Sequence, residues 1–478
     1  MAENTTSTPE MPITGGNNST IPATNQTTTT SNSTYDYIIA GAGPAGLIAV
    51  GRFTESGASV LLIERGVYDV PALGYYLLSM VDGSTYCTDT ASQGGGSMTT
   101  ALMFAKPQDA DFNDKWPADW KAKDPHISTE PWNIHNYGSG GPVKTYLPLV
   151  QDLTNLNLML NTKVIRAVRN GTWVSGVEVE KQDGNREIIE VTPNTGKVLL
   201  AAGALSTPRT LFYIGISPAI QIKKVPASVK LPSSAQWIHF PVGERPKDHP
   251  IITLNLSTNS SFATLDSTAF TSAGNDSISI VILDTAGNNT QFSGSPWLQT
   301  QGDIDSYDIF LDRVTQMSNK PGSGLAIQLS DRSNASAGIT GAELLADLNS
   351  TLVTGAHYVG TAKMGNDDGR IGNGISVVDI DTKVYGTDNL LVVDASMHPD
   401  LPTGNTQAIV MVAAEKAVEK ILALDGLTIG DGVRNGTADI SRGGKTGLEP
   451  RSRPHSRPLR CGPGYMAHYG HSLIQRKT

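Results

Sequence analysis

Cysteine is nearly missing from this chain, with only Cys87 and Cys461 among 478 residues and far apart. That scarcity excludes a disulfide framework and a cysteine-based metal site, while leaving room for one bridge. No run of about 18 apolar residues occurs, so no stretch has the length of a membrane-spanning helix. Basic blocks are missing before the extreme C-terminus. The 36 Lys and Arg stand against 45 Asp and Glu, a net charge of −9, which argues against a nucleic-acid partner. The opening residues, MAENTTSTPEMPITGG, lack the basic and apolar regions of a secretory signal. What is present, 38% apolar residues in a chain of this length, suffices for two domains or one large α/β unit. Small-molecule chemistry is the function class that remains.

Residues 1–34 are Thr, Ser, Asn, Pro and Gly with hardly any large apolar side chain. Nothing there offsets the entropy of ordering a backbone, so the segment reads as a disordered linker. Asn-x-Ser/Thr sequons recur from Asn4 to Asn435, a density that fits a glycosylated, extracellular chain. Residues 427–478 read as a disordered basic tail.

Order is expected from Tyr35. Tyr37 to Ala40 form a short apolar run ending in glycine, as a buried parallel strand does. Residues 46–56 have helical composition, and Val60 to Ile63 form a second apolar strand. Between the first strand and the helix stands Gly41-x-Gly43-x-x-Gly46. In such a loop the first glycine permits a tight turn, the second admits a pyrophosphate against the backbone, and the third lets helix and strand pack closely. Glu64 follows the second strand, where a carboxylate accepts hydrogen bonds from both ribose hydroxyls and repels a 2′-phosphate. These residues therefore point to FAD or NAD rather than NADP.

Beyond this βαβ unit, Leu156 to Val168 and Trp173 to Glu180 read as strands joined at Asn170-Gly171, and Lys197 to Ala202 as a buried strand followed by a helix over Ser206 to Tyr213. Residues 250–340 are rich in Ser, Thr, Asn and Gly, with short β-type runs such as Ile278 to Leu283 and few helical periods. Helices are expected over Glu343 to Leu352 and Ala408 to Leu424, and a strand over Leu390 to Val393.

The segment from Tyr35 to Gly66 resembles the glucose-methanol-choline (GMC) oxidoreductases, as do Gly203 to Pro218 (GALSTPRTLFYIGISP) and Asn389 to Leu424, which contains DASMHPDLPTGNTQA. The resemblance implies an α/β fold: an FAD-binding Rossmann-like βαβ domain with a second, sheet-containing α+β substrate domain. On that pattern residues 35–105, 140–248 and 386–426 form the discontinuous FAD-binding domain, and residues 106–139 and 249–385 a shortened substrate domain. It further implies FAD as cofactor and hydride transfer from the CH–OH group of a small sugar or alcohol. His357 in AHYVG matches the family's catalytic histidine, and Asn405 in PTGNTQ its partner. Asp394, Ala395, Thr406 and Gln407 would lie beside the flavin, and the backbone of Val164 would face the adenine. Quinone, oxygen or a separate haem protein would serve as electron acceptor. His398, His249, His126 and His135 receive no role.

Two departures from the family pattern stand out. Thr100, after Gly94-Gly95-Gly96, occupies a position where the family has Asn near the flavin. Residues 121–142 run almost directly into the next segment, where relatives carry a long insert. A flavin-binding protein that has lost turnover is therefore the alternative expectation.

Histidine suits the chemistry independently of the resemblance. Its ordinary pKa near 6.5 lets it take a hydroxyl proton near neutral pH while the hydride leaves. A neutral amide such as Asn405 can hold the substrate oxygen without competing for that proton.

Overall fold

The computed structural model describes residues 34–66, 111, 116–120, 146–258, 277–283, 301–323, 325–331, 333–336, 338–348, 353–402 and 404–428. Cys87, Cys461, Thr100 and the segment 121–142 lie outside these residues, as do residues 1–33 and 429–478 of the two tails.

Five parallel strands form the first sheet: β1 (Tyr37–Ala40), β2 (Val60–Ile63), β3 (Leu156–Met159), β7 (Lys197–Leu200) and β12 (Leu390–Val392), in the order β12-β7-β1-β2-β3. Every residue of β1, β2 and β12 is buried, because both faces of a parallel sheet are covered and its strands read as continuous apolar runs. Helix α1 (Pro44–Glu55) crosses from β1 to β2. It opens with Pro44, whose missing N–H is no loss in a first turn, and ends before Gly57 at φ +91°. Phe53 on this helix stacks on Tyr37 with ring centroids 4.0 Å apart.

The last helix, α5 (Gln407–Leu424), packs beside α1. Arg52 of α1 reaches Glu415 of α5 through Nε and Nη2, both at 2.9 Å, and the Tyr146 hydroxyl donates to the same carboxylate at 2.7 Å.

A three-stranded antiparallel sheet, β4 (Thr162–Asn170), β5 (Trp173–Lys181) and β6 (Arg186–Glu190), lies against the first. Buried Asn389 ties the two together: its amide accepts from Val174 N at 2.8 Å and donates to Val174 O at 2.8 Å and to Gly196 O at 2.7 Å. The single strand expected over 156–168 is two, divided at Asn161, whose φ of +52° turns the chain from one sheet into the other.

The third sheet pairs β8 (Pro250–Thr258) with β9 (Ser277–Leu283), β10 (Leu325–Gln328) and β11 (Val353–Thr354), all antiparallel. It shares a separate core, including Leu254, Leu311, Val314, Ile327, Leu344 and Leu348, with helices α3 (Gln301–Ser318) and α4 (Gly341–Leu348). Helix α3 corrects the expectation of few helical periods before residue 340. Its apolar residues are divided between Leu311 and Val314 in the core and Ile309, Phe310 and Met317 on the surface, which blurs the periodicity. Helix α2 (Ser206–Phe212) follows β7, and two single-turn helices, Leu147–Val150 and Ala219–Ile222, lie before and after it in the chain.

Candidate active site

Parallel register gathers the first set of predicted residues. Ala40, Ile63, Leu200 and Val392 share one row of the sheet, so the residues that follow them leave from the same carboxyl edge. In an open α/β sheet this is where ligands bind. Gly41, Glu64, Gly203 and Asp394 are placed there from segments far apart in sequence.

The three loop glycines differ in what requires them. A Cβ on Gly46 would lie 2.0 Å from the Gly41 carbonyl oxygen, and one on Gly41, at φ +112°, would lie 2.5 Å from the Ala201 carbonyl. The fold alone demands both. Among the described residues a Cβ on Gly43 would meet only the Ala201 oxygen, at 3.9 Å, so none of them fills the space over Gly43. Gly43 is also the N-cap of α1 and offers no side chain to its first turn, leaving the leading N–H groups for an external anion.

Glu64, buried, accepts Ala42 N through Oε2 and Gly66 N through Oε1, each at 2.8 Å. These two bonds fix the carboxylate beside the glycine loop while each oxygen retains a further acceptor position.

Asp394 is fully enclosed and accepts four donors: Gly203 N at 2.9 Å, Thr207 Oγ1 at 2.6 Å, Ser396 N at 2.8 Å and the Ser396 hydroxyl. Burial pushes its carboxyl up while those bonds hold it down. Its carboxylate thus braces the β7 and β12 loops against each other, and Ala395, partly open, follows it. Val164 lies on β4, the edge strand of its sheet, where the register shifts between Val164 and Arg166. Thr406, the N-cap of α5, makes no side-chain capping bond, and Gln407 opens the helix; both are partly open.

The second cluster is built by β8 and β11. Their ladder continues past Pro250 as Gly355 N donates to His249 O at 2.7 Å, and Lys247 and Val359 then exchange two bonds at 3.0 and 2.9 Å. Asp248 alone therefore faces Ala356, His357 and Tyr358, a bulge that re-aims the chain. Ala356 carries it at φ +55°, unusual for a residue with a side chain. Buried Asp248 takes up the N–H groups involved, accepting His357 N at 2.6 Å and His249 N at 2.9 Å.

The bulge turns the His357 ring so that Nε2 is 3.2 Å from Asn405 Nδ2, while Nδ1 is 3.0 Å from Nδ1 of His249. His249 Nε2 in turn is 2.9 Å from the Pro402 carbonyl oxygen. Burial, assisted by the neighbouring imidazole, pulls the pKa of His357 down to about 3; burial alone pulls His249 down to about 4 against the Pro402 bond. Both rings are neutral at neutral pH.

The structure thus brings His357 and Asn405 within 3.2 Å of each other. It adds Asp248 and His249, which carried no sequence signal beyond the string KDHP. His398 is wholly buried, its ring edge-on to Trp116 at 5.0 Å.

Two models described as GMC oxidoreductase match the chain, over residues 140–251 and 289–414. The chain belongs to the GMC oxidoreductase family. It is 25% identical over 322 residues to an uncharacterised GMC-type oxidoreductase of the thcA 5′ region of Rhodococcus erythropolis, covering 61% of this chain and 62% of that protein. It is 27% identical over 319 residues to the 5-(hydroxymethyl)furfural oxidase of Methylovorus sp. (strain MP688), covering 56% and 57% respectively. It therefore spans less than two thirds of either relative. Among solved structures, pyridoxine 4-oxidase from Mesorbium loti superposes with a TM-score of 0.60 at 20% identity, covering 80% of this chain and 98% of that one. A formate oxidase of Aspergillus oryzae superposes at 0.61 and 16% identity, covering 83% and 99%. These likenesses establish the fold.

FAD is the cofactor of this family. The residues present fit it: the open space over Gly43, the uncapped start of α1 and the fixed Glu64 carboxylate suit an ADP moiety.

Proposed function

We propose that this chain is an FAD-dependent oxidoreductase acting on CH–OH groups, with His357 as the base and Asn405 as the group that orients the substrate oxygen. The observation that carries the reading is the 3.2 Å approach of His357 Nε2 to Asn405 Nδ2, two side chains 48 residues apart. FAD, when bound, would supply the acceptor for the hydride, two electrons and one proton from carbon. The chain's own residues do the rest. Burial keeps the His357 ring neutral, so its Nε2 lone pair, which faces the Asn405 amide, would receive the hydroxyl proton once the substrate oxygen takes that place: the O–H bond breaks, an N–H bond forms, and the C–O bond becomes a carbonyl as the hydride departs. Asn405 holds two amide hydrogens, one directed at His357 and one free to hold the substrate oxygen. Glu64, Gly41, Gly43, Gly46 and Val164 would hold the ADP part, and Ala395, Thr406 and Gln407 the flavin end, with Asp394 bracing the loops.

For the substrate, we infer a sugar or primary alcohol. The phrases at Asn161 to Val164, Pro241 to Gly243 and Val384 to Asn389 resemble the flavin domain of fungal cellobiose dehydrogenase, and the relatives include proteins named for oxidising a hydroxymethyl compound and an alcohol. Quinone, oxygen or a haem protein would reoxidise the flavin. An extracellular site of action is supported by the surface exposure of the sequon residues Asn170 and Asn334.

Anaerobic addition of cellobiose, lactose, glucose or aryl alcohols to the FAD-loaded protein should bleach its visible flavin band. A flavin-loaded sample inert to all of them would instead support the second reading, a flavin-binding protein without turnover. That reading draws on Thr100 and on the shortened segment 121–142.

A further inference from the structure

We propose that His249 is a positioning residue that fixes the tautomer of His357, so that the Nε2 facing Asn405 carries the lone pair and not the proton. The inference rests on the reading of His357 as base, and it follows from an atom that cannot change its role. The Pro402 carbonyl oxygen only accepts, so His249 Nε2, 2.9 Å away, must carry a proton and donate it. A neutral imidazole has one N–H, and burial keeps His249 neutral. Its Nδ1 is therefore an acceptor. Three ångströms away stands His357 Nδ1, which must then be the donor across the 3.0 Å contact. His357, also neutral, has spent its only N–H, and Nε2 is left as a bare acceptor opposite the Asn405 amide, whose Nδ2 can only donate.

The opposite tautomer would set two lone pairs against each other at the His249–His357 contact, or at the Pro402 carbonyl. Leaving such a buried pair unmade shifts the tautomer ratio by a factor of roughly 10 to 100. The frame that holds this relay is built for close approach. Asp248 takes the backbone N–H of both histidines, and a Cβ on Gly355 would lie 2.8 Å from the His249 carbonyl oxygen and 3.1 Å from His357 Nδ1. His249 itself has no exposed surface. It cannot touch a substrate; it acts through His357.

The test separates tautomer from turnover. Long-range ¹H–¹⁵N spectra of the FAD-loaded protein labelled in histidine, assigned through His249→Asn and His357→Gln, should show at pH 7 an Nδ1–H form for His357 and an Nε2–H form for His249. In His249→Asn, whose Oδ1 stands where Nδ1 stood, His357 should keep its Nδ1–H form and kcat should stay within about tenfold of the parent. In His249→Leu, which offers no acceptor, His357 should move toward Nε2–H, with kcat lower by about 10²-fold and KM little changed. A parent spectrum with His357 protonated at Nε2 overturns the proposal, as does an equal loss of kcat in the Asn and Leu variants. Should His357→Gln retain full activity while the spectra are as expected, the reading of His357 as base fails and the tautomer relay stands.

Discussion

Mild acid should destabilise this protein steeply while leaving His357 neutral in the folded state. Three histidines are held neutral by burial: His357 and His398 with pKa values drawn down to about 3, and His249 to about 4. In the unfolded chain each titrates near 6.5. The folded values are depressed, so between pH 6.5 and about 4 the unfolded chain binds protons that the native protein refuses, and stability falls as pH falls. Integrated from pH 7 to 5.5, each ring contributes a loss of about 1.2 kcal/mol, and the three together about 4 kcal/mol, a large share of a typical domain's stability. Asp379 and Asp394, whose carboxyls burial pushes up, act in the opposite sense, so the effect is cleanest above pH 5. Urea unfolding followed by tryptophan fluorescence at fixed excess FAD, at pH 7.0 and 5.5, measures it. His398→Phe should remove about a third of the loss, since neither ring nitrogen has a hydrogen-bond partner among the described residues and the ring packs on Trp116. A stability unchanged between the two pH values, or a loss that His398→Phe leaves whole, would refute the reasoning. Initial rates in the folded protein should stay flat over the same interval, because His357 does not titrate in it.

Two of the three loop glycines should separate folding from binding. Gly46→Ala, with its Cβ 2.0 Å from the Gly41 oxygen, should cost about 1–3 kcal/mol or more of stability in a melt of the apoprotein, whereas Gly43→Ala, clear to 3.9 Å, should melt within about 1 kcal/mol of the parent and yet bind FAD more weakly by titration. His357→Gln should lower kcat by about 10²- to 10⁴-fold with bound flavin, read from absorbance, unchanged. Asn389→Leu leaves Val174 N, Val174 O and Gly196 O without their partner in the interior and should cost about 3 kcal/mol or more in urea unfolding.

The cofactor half of this molecule was legible in the sequence because its signals are local. Apolar runs at Tyr37 to Ala40 and Val60 to Ile63, the glycine loop between them and Glu64 after them all express their geometry within 30 residues, and the structure follows them closely. Helix α5 was readable for the same reason. The other site residues are defined by a pairing of β8 with β11, about 100 residues apart, and by the bulge that interrupts it. A bulge has no periodicity, so Asp248 and His249 were silent, and His357 was found only through its family likeness. Asn161 shows the same limit: one residue with positive φ divided what read as a single strand.

The arrangement of the first sheet has a consequence for synthesis. Its central strand, β1, comes early in the chain, yet β7 reaches its outer neighbour β12 only when residues 390–392 are available, and Asp394 and α5 follow later still. On the ribosome the glycine loop therefore emerges hundreds of residues before the bracing carboxylate and the helix that flank the same edge. Until they arrive, β7 pairs only with β1 and its other edge is a row of open N–H and C=O groups, the kind of edge that invites pairing with another chain. The nascent protein is most exposed to aggregation over that interval, and FAD can act as a folding ligand only once residues 390–424 have emerged.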